Sequence, residues 1–155
     1  MNKRGSIIQM ICTITLLLSL GISTCILVTA GYGSFSRMNE FQDECLNARV
    51  AMNYVSMQIR RFDVTGSVRI DDSLPGTRLV LSEDIDGEIY ETRIYLHDGR
   101  LRESFVPAEA PFNEEYGFEI IQLDSFAVKR ENNVIEIELA SGANKRNMTL
   151  TLMSA

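Results

Sequence analysis

Between Gly5 and Ser36 the chain carries no charged residue, and residues 7–30 are almost wholly apolar or small. These 24 residues, counted from 7 to 30 inclusive, rise about 36 Å as an α-helix, enough to cross a hydrocarbon core of about 30 Å with some tilt. In lipid every backbone N–H and C=O must find its partner within the segment, so such a run must be helical. Its polar members, among them Gln9, Thr13, Thr15, Ser19 and Thr24, are uncharged, and hydroxyls in a helix bond back to the preceding turn. The core helix of a soluble protein seldom stays uncharged over this length. A cleaved secretory signal is the competing reading, since Val28-Thr29-Ala30 has the small-residue cleavage pattern. The run is longer than the apolar core of about 7–15 residues found in signal peptides, which favours a retained anchor.

Charge sets the expected orientation. Lys3 and Arg4 precede the run, while Glu40, Asp43 and Glu44 follow it against Arg37. The positive-inside tendency places the N-terminus in the cytoplasm and the remainder outside, as a single-pass protein of the cell membrane. All 21 acidic side chains lie after the run with 13 of the 15 basic ones, a formal charge of −8 (13 − 21). A surface of that sign repels nucleic acid and anionic lipid headgroups, so neither is an expected partner. Cys12 and Cys25 lie within the run and Cys45 stands alone after it, which excludes an intramolecular disulfide framework and any cysteine-based metal spacing. Cys45 reads as a small buried hydrophobe.

After Tyr32 the apolar pattern narrows to a stripe. Phe35, Met38, Phe41, Cys45, Ala48, Met52, Val55, Ile59 and Phe62 recur at steps of three and four, the signature of one helix face. No proline falls between residues 7 and 62, though Gly31 and Gly33 offer a bend. The expected organisation is a short cytoplasmic leader (1–6), a transmembrane helix (7–30), its amphipathic continuation (31–62) and a sheet domain (63–155). A coiled-coil dimer would use the same stripe, but a strand-forming region follows it, and packing on that region is the better reading.

From residue 67 the pattern is strands and turns. Apolar alternation runs over 68–70, 79–81 and 89–96, then over 101–106 after Asp98-Gly99. Asp-Gly between alternating segments predicts a hairpin, because a type I′ turn needs φ > 0 at both central residues. In that register Leu96 faces Leu101, and Tyr90, Thr92, Ile94 and Phe105 share a side. Glu103 lands on the same apolar side, so either a bulge shifts the register or this carboxylate has a partner. Pro107, Pro111 and the polar run to Gly117 read as an exposed loop. A strand follows at 119–123. A second hairpin joins 126–130 to 134–139 across Asn132-Asn133, and a last strand turns Met148, Leu150 and Leu152 inward. Short strands joined by tight turns imply an antiparallel sheet with one face covered, and residues 35–62 are the only helix able to cover it. The predicted fold is α+β: a long N-terminal helix, half membrane-type and half amphipathic, packed on an antiparallel β-sheet.

Little in the chain points to chemistry. The single histidine, His97, sits beside the Asp98-Gly99 turn with no sequence partner, no serine has a Gly-x-Ser-x-Gly context, and the glycines are isolated. An enzyme is not expected, nor a cofactor or a small-molecule substrate. Asp84, Asp86 and Glu88 place hard oxygen donors on alternate residues, as at the start of a calcium loop, but lack the further donors that close a calcium cage. Asp and Gly there are also what a hairpin between Leu81 and Ile89 requires. Phe112 and Tyr116, among Glu109, Glu114 and Glu115, form a candidate partner-contact loop at 107–116. Its alternative is that both rings fold back on the sheet edge.

Lys3-Arg4-Gly5 followed by Ser6-Ile7-Ile8, with the apolar-then-amphipathic helix and the sheet after it, resembles a type IV pilin or pseudopilin. The juxtamembrane Arg37-Met38-Asn39-Glu40, residues 48–55 and Gln58-Ile59-Arg60-Arg61 are similar to an uncharacterised single-span pilin-like family of Gram-positive bacteria. The strand residues Leu79-Val80-Leu81, Ile89-Tyr90-Glu91-Thr92 and Asp98-Gly99 fit it too. The resemblance implies processing between Gly5 and Ser6 by a prepilin peptidase. It also implies helix–helix contacts with other pilin-like or single-span membrane subunits, and a non-catalytic place in a type IV pilus or type II secretion-like envelope assembly. Met10 stands where pilins usually carry a glutamate, and Ser6 where they begin with phenylalanine or methionine. Both departures favour an unprocessed or a minor, initiating subunit over a bulk fibre subunit. The other function class that fits is a membrane-tethered accessory domain binding a protein or cell-wall ligand.

Overall fold

A computed structural model describes residues 3–64, 66–73 and 76–154; the side chains of residues 3–6, 33–37 and 39–41 lie outside the description. Among the described residues one helix, α1 (Lys3–Arg61), precedes eight strands: β1 (Val68–Asp71), β2 (Arg78–Ile85), β3 (Glu88–His97), β4 (Arg100–Pro107), β5 (Phe118–Gln122), β6 (Ser125–Glu131), β7 (Val134–Ser141) and β8 (Asn144–Thr151). The chain forms two compact units, Met1–Phe41 and Gln42–Ala155.

In the first unit, α1 contains Ile7–Tyr32, a stretch long and apolar enough to cross a membrane and buried nowhere by the chain itself. It extends the expected span by two residues. The hydroxyls bond back as anticipated: Thr13 donates to the Gln9 carbonyl (2.8 Å), Thr24 to that of Leu20 (3.0 Å) and Thr29 to that of Cys25 (2.8 Å). Each hydroxyl hydrogen is thereby satisfied within the helix, which lowers the cost of placing it in hydrocarbon. With no proline to interrupt the hydrogen-bond ladder, helical structure continues through Gly31 and Gly33. Gly5 and Ser6 belong to the first turns of α1.

In the second unit the stripe packs as the spacing predicts from Ala48 onward. Ala48, Met52, Val55, Ile59 and Phe62 are buried, joined by Ala51. They meet Val68, Leu79, Leu81, Ile94 and Leu101 of one sheet and Phe126, Val128, Ile135, Ile137, Leu139 and Leu150 of another. Nearer the N-terminal side the stripe loosens. Cys45 is only half-buried and Met38 is exposed, while Phe35 and Phe41 lie outside the described side chains.

The strands form two antiparallel meanders, β1-β2-β3-β4-β5 and β6-β7-β8. Leu96 pairs with Leu101 across the Asp98-Gly99 turn, whose φ angles of 49° and 68° satisfy the type I′ requirement. Asp86-Gly87 makes the same turn between β2 and β3, with φ of 55° and 90°. Lys129 faces Glu136 across β6 and β7. Where the sheets adjoin, the Arg130 guanidinium of β6 donates to the Val68 carbonyl of β1.

Glu103 settles the register question. It pairs with Ile94 without a bulge between β3 and β4, and the irregularity in β4 lies at Leu101/Arg102 against β5. The carboxylate keeps its place because α1 supplies donors: the Tyr54 hydroxyl donates to it, and the Gln58 amide lies at 3.4 Å. On the opposite face of the five-stranded sheet, residues 107–117 lie over Arg78 of β2 and Arg93 and Tyr95 of β3. This face is therefore covered as well as the helix face.

Candidate functional site

Alternation along β2 and β3 sends Arg78 and Val80, and Glu91, Arg93 and Tyr95, to the face away from α1. Sequence pattern alone would leave such charges in water. Here Arg78, Glu91 and Arg93 are buried because residues 107–117 strap across them. Arg93 holds the strap by donating from Nη1 to the Ala110 carbonyl (3.0 Å) and from Nη2 to that of Ala108 (3.1 Å). Farther along, the Tyr95 hydroxyl donates to the Glu114 carbonyl (3.2 Å), and burial pushes this phenol's pKa upward. Phe112 packs edge-on against the Tyr95 ring, centroids 4.9 Å apart at 81°. Gly117 ends the strap where nothing larger fits, since a Cβ there would stand 2.5 Å from the Tyr95 hydroxyl oxygen.

Beneath the strap the charges form an ordered array. Glu91 accepts from Arg69 through one oxygen and from Arg93 Nε through the other at 2.8 Å. Arg78 donates from Nη2 to Asp71 (2.9 Å) and to the Ser73 hydroxyl (3.0 Å). Asp71 is held below the ordinary carboxyl range, first by Ser73 and then by the Arg78 charge. The Phe112 ring covers the Arg78 guanidinium at 4.3 Å. Arg78 Nε and Nη1 are buried with no acceptor among the described residues. Unmade bonds of this kind cost about 1–3 kcal/mol per group, and an arginine cannot shed its charge to escape the cost. A recess of about 170 Å³ lies among Arg69, Asp71, Arg78, Glu91, Arg93 and Phe112.

The predicted site residues fall apart from one another. Phe112 is folded onto the sheet, whereas Tyr116 is 77 % exposed beside Phe118 at 85 %. The candidate contact loop therefore divides into one anchoring ring and one free ring. His97 sits 3.0 Å from a Glu114 carboxylate oxygen and 3.5 Å from Asp98, fastening the strap to the β3–β4 turn. Of the calcium candidates, Asp84 accepts the Gly87 N–H at 2.9 Å as a turn residue, and Glu88 lies 3.3 Å from the Tyr90 hydroxyl. Among the described residues no three acidic, histidine or cysteine side chains are gathered in a way that could hold a metal ion. Sequence reading missed the Arg69–Arg78–Arg93 array. Its one signal in the sequence is that Glu91 and Arg93 stand two residues apart in an alternating segment.

A family model described as a domain of unknown function (DUF4860) matches residues 46–141, which takes in the C-terminal part of α1, all of β1–β6 and β7. No curated protein and no solved structure matches the chain.

Proposed function

The chain belongs to the DUF4860 family, and from that premise we propose that it is a membrane-anchored, non-catalytic structural subunit of an envelope assembly, a minor pilin-like or pseudopilin-like component. The observation that carries this reading is the stretch Ile7–Tyr32, apolar on every side and buried nowhere by its own chain. Apolar surface on that scale calls for lipid or other helices. Threonine hydroxyls turned back onto their own carbonyls leave packing, not hydrogen bonding, as the means of lateral association, and Gly21 has open space around it for a close neighbour. The continuity of α1 as far as Arg61 supports a pilin-like role, because one helix then belongs both to the apolar stretch and to the core of the sheet unit.

On this reading the N-terminus stays cytoplasmic, the sheet unit is extracytoplasmic, and any processing falls between Gly5 and Ser6. Two measurements test it. Fractionation of cells expressing the full chain should find it in membranes that survive a high-salt wash. Oxidative cross-linking in those membranes should trap the exposed Cys12 or Cys25 against neighbouring single-span subunits, and Cys25→Ser together with Cys12→Ser should abolish the adduct. Recovery of the protein in the soluble fraction, with its N-terminus at Gly31, would overturn the proposal. Mass spectrometry of the mature N-terminus decides the processing site separately.

A further inference from the structure

We propose that the recess on the far face of the five-stranded sheet is a binding site for a small oxyanion, a carboxylate or a phosphate, gated by the Phe112 ring. The inference concerns the sheet unit alone and does not depend on how the chain is anchored.

The charges are unbalanced in a direction that runs against the rest of the molecule. Three guanidiniums (Arg69, Arg78, Arg93) line the recess with two carboxylates (Asp71, Glu91), a formal charge of +1. The chain as a whole carries −6. Hydrogen bonding places the imbalance on one residue. Both Glu91 oxygens and all three Arg93 nitrogens are engaged. Arg69 is half-exposed, so water can solvate what Glu91 does not. Arg78 is different: its side chain is 95 % buried, yet two of its three nitrogens lack an acceptor among the described residues. The Phe112 ring face attracts a cation but offers N–H groups no lone pair to accept them.

A buried, permanently charged donor with unused N–H groups fits an acceptor anion from outside the chain. Phe112 lines the recess from the strap and not from a strand, so moving its ring breaks no ladder bond. A volume near 170 Å³ admits a phosphate or a short carboxylate and excludes anything polymeric beyond its terminal group.

The test is calorimetric titration of the full chain in detergent with sodium phosphate and, separately, sodium acetate, at constant ionic strength set by chloride. Saturable one-site binding of either anion is expected, and which one binds identifies the source. Arg78→Gln should weaken it by about tenfold or more, as expected for losing a buried charged donor. Asp71→Asn should tighten it by about threefold by raising the local charge to about +2. A purely structural Asp71–Arg78 pair would show no anion binding in either variant. Phe112→Ala should tighten binding too by uncovering the guanidinium. Absence of saturable binding by both anions in the unaltered chain and in Asp71→Asn overturns the proposal, as does unchanged affinity in a folded Arg78→Gln. Should Arg78→Gln fail to fold, the Asp71→Asn and Phe112→Ala titrations decide the matter alone.

Discussion

The Tyr54 hydroxyl occupies a junction where a helix residue donates to a strand carboxylate that would otherwise be stranded on an apolar face. Burial first, then the bond to Glu103, pushes its pKa up to about 12 from 10.0. The folded state thus keeps a proton that the unfolded chain releases. The stabilisation is whole below pH 10.0 and disappears as pH rises toward about 12. Tyr54→Phe should cost about 1.5–3 kcal/mol, the worth of a hydrogen bond to a charged group, and should remove a phenol transition near pH 12 from an alkaline absorbance titration. Asp63 shows the opposite sign. The Met153 N–H, at 2.8 Å, and then the Ser154 hydroxyl hold its carboxyl below the ordinary 3.8. Its contribution is therefore complete above pH 3.8 and is lost as pH falls through the lower folded value. Asp63→Asn should speed hydrogen exchange at the Met153 and Ser154 amides at neutral pH while leaving the sheets protected. At Gly117, the close approach to Tyr95 and Arg102 makes Gly117→Ala an overpacking change. It should destabilise by about 1–3 kcal/mol in chemical denaturation.

Among the elements, α1 has residues in both units and is the most open to test. Ile59 is buried in one core with apolar residues of both sheets, so Ile59→Ala should cost about 2–5 kcal/mol in the same denaturation assay. In the other unit, Leu18→Arg places a charge near the middle of the apolar stretch. That should cost about 2.5–3.5 kcal/mol of insertion free energy and shift the protein out of the membrane fraction without unfolding the sheets. Element periodicity also explains which parts were legible beforehand. The stripe from Ala48 to Phe62 and the Asp98-Gly99 hairpin were readable because spacing and turn chemistry are local properties. The strap was not. Residues 107–117 have no periodicity, and Arg93 and Tyr95 hold them through backbone carbonyls, which any sequence possesses. Division into two meanders was equally hidden, since it depends on β5 and β6 failing to pair, and neither strand's composition records that. The candidate site suffered in the same way: its arginines come from three strands whose faces became buried only through the strap.

For the molecule as a whole, the separation of character along the chain is the governing fact. Every acidic side chain follows the charge-free segment, so solubility belongs to one part and apolar exposure to the other. The meander topology adds a consequence for biogenesis. Each strand pairs only with those before and after it in its own sheet, so no strand must wait for a distant partner, and contacts of short sequence separation form quickly. On a chain that emerges from its N-terminal end, hairpins would close one after another as they appeared. Unpaired edges would be brief, and so would the chance of sticking to a neighbouring nascent chain.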